Sequence, residues 1–231
     1  MTGIAIIGGS GLYQLDALEN SHTETVSTPY GEPSDALTIG SMQGESVVFL
    51  ARHGAAHTIP PHRINYRANL WALKQRGIRT VISVCAVGAI RAAIRPGAIV
   101  VPDQMIDYTW GREHTLYEQD LSEVTHIDFT EPYCGELRMA LIDAAAEAGI
   151  EIFQTATYGA MQGPRLETAA EINRMERDGC DIVGMTGMPE ASLARELGCR
   201  LEYGGSVAGD EETVMLFVVE SDDPKIGRAH V

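Results

Sequence analysis

The 231-residue sequence predicts a single α/β domain in which a central mixed β-sheet is flanked by helices. Short apolar runs rich in β-branched residues recur along the chain, and segments of helical period separate several of them. No internal repeat, low-complexity tract or linker interrupts this alternation. With 45% hydrophobic residues, and glycine and proline spread over its whole length, the chain can bury one sizeable core.

In chain order, the apolar runs are Ile4–Ile7, Val47–Ala51, Thr80–Val84, Ala98–Val101, Ile150–Thr157 and Asp181–Gly184, each read as a buried strand. Helical period appears first over Tyr66–Arg76, stopped by Gly77, and then over Pro132–Ala148. There Leu137, Leu141, Ala144 and Ala148 share one face before Gly149. Thr168 followed by Glu171 is a capping-box signal for a helix to Gly179 with Ile172 and Met175 inward. A last helix runs from Pro189 to Leu197 and ends at Gly198.

Composition excludes several function classes. Lys and Arg number 17 against 32 acids, so the formal net charge is -15 and a polyanion such as nucleic acid would meet repulsion over most of the surface. The N-terminus opens without a basic leader and no apolar run is long enough to span a membrane, so a soluble cytoplasmic protein is expected. Cys85, Cys134, Cys180 and Cys199 lie far apart with no C-x-x-C spacing. They read as reduced thiols, and no metal site is expected.

Ligands in such sheets bind at the carboxyl ends of strands, so the loops there carry the functional argument. Gly8-Gly9-Ser10-Gly11 follows the first run and permits a tight turn whose N–H groups and hydroxyl converge on a phosphate. It matches neither the dinucleotide nor the P-loop fingerprint, and alone it reads equally well as a plain turn. Arg52-His53-Gly54 places a planar fork of donors at the next strand end, where a surface salt bridge is the alternative. Cys85-Ala86-Val87-Gly88 is expected to be a third loop with backbone donors, and Met185-Thr186-Gly187 a fourth with a hydroxyl. Together the loops describe an anion site.

The same residues fall within longer matches to a known family. Ile6–Leu12, Leu50–Gly54, Asn65–Lys74, Gln162–Thr168 and Asp181–Glu190 occur in the order found in methylthioadenosine and purine nucleoside phosphorylases of the trimeric type. Over residues 1 to 199 the chain resembles that family, and most of all its methylthioinosine-cleaving branch. The resemblance implies that Ser10, Arg52, His53, the Ala86 backbone and Thr186 hold phosphate, and that Met185 lies against the ribose. It implies a homotrimer in which His126 is lent to the neighbouring subunit's pocket, the alternative being an ordinary surface histidine. It also implies no cofactor, inorganic phosphate being a co-substrate. Cys85 departs from the Thr or Asn of the relatives, and a thiol is a weaker donor.

Phosphorolysis breaks the C1′–N9 bond through a cation-like transition state, so the protein supplies positioning and electrostatics while phosphate is the nucleophile. Glu167, with Leu166 beside it, is the candidate for reading the base. A carboxylate only accepts hydrogen bonds, which suits N1–H of a 6-oxopurine and mismatches adenine. The alternative is that Glu167 merely neighbours the capping Thr168. Residues 200–231 are expected to be a divergent, truncated or frameshifted tail. Relatives continue there with a strand and an Asn or Asp loop for purine N7, and this chain reads Gly204-Gly205-Ser206-Val207 instead. The group that protonates the base is therefore unassigned. The rivals to a methylthioinosine-type phosphorylase are a methylthioadenosine phosphorylase, a hydrolytic nucleosidase, and an inactive purine- or phosphate-binding module. A dehydrogenase is remote, since the dinucleotide fingerprint is missing.

Overall fold

The computed structural model describes residues 3–118 and 123–207. The strands are β1 (Ile4–Gly8), β2 (Glu19–Glu24), β3 (Leu37–Met42), β4 (Glu45–Ala51), β5 (Thr80–Ala89), β6 (Ile99–Val100), β7 (Gln104–Asp107), β8 (Ile152–Phe153), β9 (Thr157–Ala160), β10 (Ile182–Gly184) and β11 (Arg200–Val207). The helices are α1 (Tyr66–Gln75), α2 (Gly135–Glu147), α3 (Ala169–Asp178) and α4 (Gly187–Glu196). They form the mixed sheet with flanking helices that the alternation of runs predicts.

The sheet runs in the order β2-β3-β4-β1-β5-β10-β9-β7, with β11, β6 and β8 branching from β5. β4, β1, β5 and β11 are parallel, as are β10, β9 and β7, but β10 meets β5 antiparallel. β5 is thus the seam between two parallel sets. Its interior residues Val81, Val84 and Val87 are buried, and the main core extends from Val81 and Val87 to Leu70 and Leu73 of α1 and Leu193 and Ala194 of α4. Removing such side chains from water drives the assembly, each contributing roughly 1.5–3 kcal/mol.

Local signals fix the helix ends. Asn65 Oδ1 accepts from the Ala68 N–H at 3.1 Å at the start of α1. The capping box at α3 is complete, with Glu171 N–H donating to Thr168 Oγ1 at 3.2 Å and Thr168 N–H donating to the Glu171 carboxylate at 2.7 Å. Gly179 closes this helix at a φ of 92°.

Several expectations change. Ile150–Thr157 is two strands, because the chain crosses at Gln154–Ala156 from pairing with β6 to pairing with β7 and β10. The Ala156 N–H donates to Asp103 Oδ1 at 2.9 Å at that crossing. Cys85–Gly88 is no loop: β11 pairs alongside as far as Val87 and keeps β5 extended. In α2 the inward residues are Ile142 and Ala145 with Leu137 and Leu141 partly buried, while Ala144 and Ala148 are exposed. The bulkier Ile142 sets the face that the small alanines do not.

The segment after residue 199 begins within the sheet. Arg200–Val207 is a buried strand in register with Thr80–Val87, so the sheet continues through the start of the expected tail. Its side chains on one face, Leu201, Tyr203 and Val207, join the core, and this packing holds the segment in place. The rest of the expected tail, residues 208–231, lies outside the described residues.

On the other face of β11, Glu202 is fully buried, accepting from the Tyr203 N–H at 3.0 Å through Oε1. Its Oε2 has no hydrogen-bond partner among the described residues. Burial pushes the carboxyl up to about 8, against the opposing pull of the Tyr203 N–H and Arg138, with Asp103 adding to the rise. Because the folded-state value lies above the unfolded one, this carboxyl favours the fold fully below pH 4.5, and that stability is lost as pH rises through 8. Glu202→Gln is expected to leave stability unchanged near pH 4 and to raise Tm above that of the parent protein at pH 8 and beyond. Thermal unfolding at both pH values checks it.

Candidate active site

The strand-end residues meet because of the way β5 changes partners. Along Thr80–Ser83 it lies between β1 and β11. β1 then ends and β10 joins only at Gly88, so on the edge opposite β11 the backbone of Val84–Val87 carries no strand among the described residues. Open α/β sheets bind ligands in the crevice where neighbouring strands part. Ala86, half-buried, lies in this stretch, and the antiparallel course of β10 delivers Thr186 to it from the other side.

The loop after β1 closes the crevice. Leu12 N–H donates to Gly9 O at 3.0 Å, leaving half-buried Ser10 at the turn. A Cβ on Gly9 would stand 2.6 Å from Arg52 Nη1, 2.7 Å from Val84 O and 3.2 Å from Cys85 Cα. Glycine is required there for the approach of the β1 loop to the β5 backbone.

Arg52 sits deeper than a free strand-end fork would. Its side chain is fully buried, and its fork is matched to a carboxylate of the same chain: Nε donates to Glu190 Oε2 at 2.8 Å and Nη2 to Glu190 Oε1 at 3.0 Å. Nη2 also donates to Ser83 Oγ at 2.5 Å, and Nη1 to Val84 O at 2.9 Å. Only a second N–H of Nη1, directly beneath Gly9, is left for an anion in the crevice. Burial works against the Arg52 charge, and Glu190 together with Tyr203 and Cys85 more than offsets it, so the guanidinium stays protonated.

Glu190 had no place among the sequence candidates, yet it organises the floor of the site. Besides Arg52 it accepts from Ser83 Oγ at 2.6 Å, and Tyr203 Oη lies 2.7 Å from its Oε1 and 3.0 Å from Thr186 O. The signal in sequence is its position three residues after Gly187, on the first turn of α4, where a carboxylate is favoured.

His53 is buried beside this pair. Its Nδ1 lies 2.8 Å from the Ile59 carbonyl, which only accepts, so the proton sits on Nδ1 and Nε2 is a bare acceptor. Burial, then the Arg52 charge, lower it to about 4. At neutral pH it therefore adds no positive charge. Thr186 Oγ1 is buried with no partner at good hydrogen-bond geometry among the described residues, although the Cys85 thiol and the Tyr158 hydroxyl lie against it. A buried hydroxyl without a partner is costly in an empty fold and natural in one that receives a ligand. Burial raises Cys85 to about 11, so it remains a thiol.

The remaining candidates line the neighbouring strand ends. Half-buried Met185 packs against the loop after β9: a Cβ on Gly163, whose φ is +61°, would stand 2.5 Å from Met185 Sδ. That loop carries Leu166, 53% exposed, and half-buried Glu167. It is tied to α3 by Arg165, whose Nη1 and Nη2 donate to the two Glu171 oxygens at 2.8 and 2.7 Å. Glu167 itself takes no part in the capping box, which uses Thr168 and Glu171. His126 lies in the exposed segment before α2, and no hydrogen bond or ion pair among the described residues ties it to the others. The position expected for a purine N7 partner, beyond β11, lies outside the described residues. A cleft of about 420 Å³ between the ends of β7 and β9 and α3 is lined by Trp110, Gln162, Arg165 and Glu171, and by none of the residues expected to hold phosphate. Among the described residues no group of three or more His, Cys, Asp or Glu could hold a metal ion, and no helix is long and apolar enough to cross a membrane.

Residues 3–209 match the family model described as the phosphorylase superfamily. The chain belongs to this superfamily. It is 55% identical over 203 residues to a probable S-methyl-5′-thioinosine phosphorylase of Pseudomonas syringae pv. tomato, covering 88% of this chain and 82% of the relative. It is 51% identical over 202 residues to the 6-oxopurine nucleoside phosphorylase of Pyrococcus furiosus, covering 85% and 75% respectively. The structure of methylthioadenosine phosphorylase from Schistosoma mansoni in complex with tubercidin superposes with a TM-score of 0.87 at 36% identity, over 90% of this chain and 80% of that one. The family match runs past residue 199 and takes in β11.

Two outcomes follow from the buried pair and the glycine beneath the crevice. Glu190→Ala is expected to cost about 3–5 kcal/mol by leaving Arg52 buried and unpaired, whereas the double change R52M/E190L recovers most of that loss. Urea unfolding of the three proteins measures it. Gly9→Ala is expected to weaken phosphate binding at least tenfold and to destabilise by about 1–3 kcal/mol, since backbone must move to admit the methyl group. Phosphate titration by calorimetry reads the first effect.

Proposed function

We propose that this phosphorylase-superfamily chain cleaves a 6-oxopurine nucleoside with inorganic phosphate, 5′-methylthioinosine ahead of inosine, giving the free base and the sugar 1-phosphate. The observation that carries this reading is the buried, unpartnered Thr186 hydroxyl in a crevice lined by backbone and by one spare N–H of Arg52. The names of the relatives at 55% and 51% identity agree with it.

In the proposed reaction the nucleoside lies with its C1′ over the crevice and its base towards Glu167. A phosphate oxygen forms the bond to C1′ as the C1′–N9 bond breaks, and the bonding pair leaves with the purine, which takes up a proton. Ser10, Ala86 N–H, Thr186 and Arg52 Nη1 hold the anion, and neutral His53 accepts from a protonated phosphate oxygen. Met185 supports the ribose, with Leu166 beside the base. The working unit is a homotrimer acting in the cytoplasm, His126 reaching the 5′ substituent in a neighbouring subunit. No protein nucleophile is needed, so Arg52 and Glu190 serve to set the floor rather than to react.

Glu167 sets the base preference, because an ionised carboxylate accepts N1–H of hypoxanthine and meets a second acceptor on adenine. Chromatographic release of base from methylthioinosine, inosine and methylthioadenosine, each with and without phosphate, tests the whole reading. Hypoxanthine is expected only when phosphate is present. Glu167→Gln is expected to lower kcat/KM for the 6-oxopurine substrates by about 10–100-fold, the size of a lost hydrogen bond to a charged group. Base release without phosphate would make the protein a hydrolase, and faster release of adenine would remove Glu167 from its role.

A further inference from the structure

We propose that Arg112 is a positioning residue for the nucleoside, a clasp that sets the base-reading loop and the ribose-facing loop at a fixed spacing. The proposal rests on the reading above for what those two loops hold. β7, β9 and β10 are adjacent and parallel, so their carboxyl ends lie side by side. The chain leaves β7 at Asp107, and Trp110 N–H donates to Gln162 Oε1 at 3.0 Å, which brings Arg112 over the ends of the other two strands.

There the guanidinium finds an acceptor for every N–H. Nε donates to Gln162 Oε1 at 3.1 Å, and Nη2 donates to Met161 O at 3.1 Å and Gln162 O at 2.7 Å, all at the end of β9. Nη1 donates to Met185 O at 2.9 Å and to Met188 O, at the end of β10 and the start of α4, with Tyr66 Oη at 3.3 Å. The cation lies 5.7 Å from the centre of the Tyr66 ring, and it forms no ion pair with a carboxylate among the described residues. A half-buried charge held only by carbonyls and an amide from two loops is a geometric device: each loop's position is defined by the same rigid fork.

The spacing matters because of what the loops lead to. Met161–Gln162 runs through Gly163 to Leu166 and Glu167, and Met185 runs directly into Thr186 of the phosphate crevice. Gly163 already packs against Met185 with no room for a side chain. Arg112 therefore governs the distance between the carboxylate that reads the base and the hydroxyl that faces phosphate. Lysine offers its donors from a single point and cannot span both carbonyl sets.

Arg112→Met, Arg112→Lys and Gln162→Leu test the clasp on the full chain. In R112M the KM for inosine is expected to rise tenfold or more while the KM for phosphate changes less than twofold, and the preference for inosine over adenosine narrows. R112K recovers part of the loss. Q162L removes one acceptor only, moves the inosine KM the same way by less, and serves where R112M does not fold. Calorimetry with free hypoxanthine reads the clasp without turnover, with binding to R112M expected to weaken at least tenfold. If the unaltered chain binds hypoxanthine but releases no base with phosphate, the phosphorolysis reading fails while the hypoxanthine ratio still decides the clasp. Equal losses for base and phosphate, or unchanged base affinity in a folded variant, overturn it.

Discussion

The crevice at the strand ends depends on one buried ion pair between residues 138 positions apart, Arg52 at the end of β4 and Glu190 in α4. Neither side chain reaches solvent, so each charge is tolerable only because the other is there. The pair also recruits its surroundings. Ser83 from β5 and Tyr203 from β11 both bond to Glu190, and Arg52 bonds to the backbone of β5. Strands β4, β5 and β11 and helix α4 are thereby fixed at one point, directly beneath the loop at Gly9.

That point coincides with the seam of the sheet. A wholly parallel sheet would keep β5 paired along its length, and the backbone of Val84–Val87 would be used in ladders on both edges. The reversal at β10 leaves one edge of that stretch open and turns the end of β10 towards it. The open backbone, the β1 loop and the partnerless Thr186 hydroxyl are then separate consequences of one topological feature, which is why residues from four distant segments converge.

Much of this was legible in the sequence, and unevenly so. The buried strands β1, β4 and β10 and the capped helices α1 and α3 announce themselves through apolar runs and capping residues. β2, with the sequence Glu-Asn-Ser-His-Thr-Glu, is an exposed edge strand that exists because β3 pairs with it, and no pattern of its own marks it. β11 contains Glu202, Gly204, Gly205 and Ser206, polar or small residues that read as a loop until the partners β5 and β6 are known. At the crevice, glycine and cation at strand ends pointed to segments that the fold brings together, but not to the contacts their side chains make. Arg52 and Glu190 lie too far apart in sequence for either to signal that the other has claimed its fork.

Why a charged pair should occupy this position at all has an energetic side. A well-packed apolar pair of similar volume would hold strands and helix together at no desolvation cost, and buried ion pairs are commonly no more stabilising than such a replacement. What an apolar pair could not do is orient its neighbours. The Tyr203 hydroxyl is shared between Glu190 and the Thr186 carbonyl, so the carboxylate fixes the residue whose own hydroxyl is left partnerless in the crevice. Arg52, held by Glu190 on two nitrogens, has its remaining N–H aimed from beneath Gly9 with no freedom to swing away. Preorganised donors of this kind need no rearrangement when charge arrives or moves. The pair is thus better understood as the frame that aims the site than as a contribution to the stability of the fold.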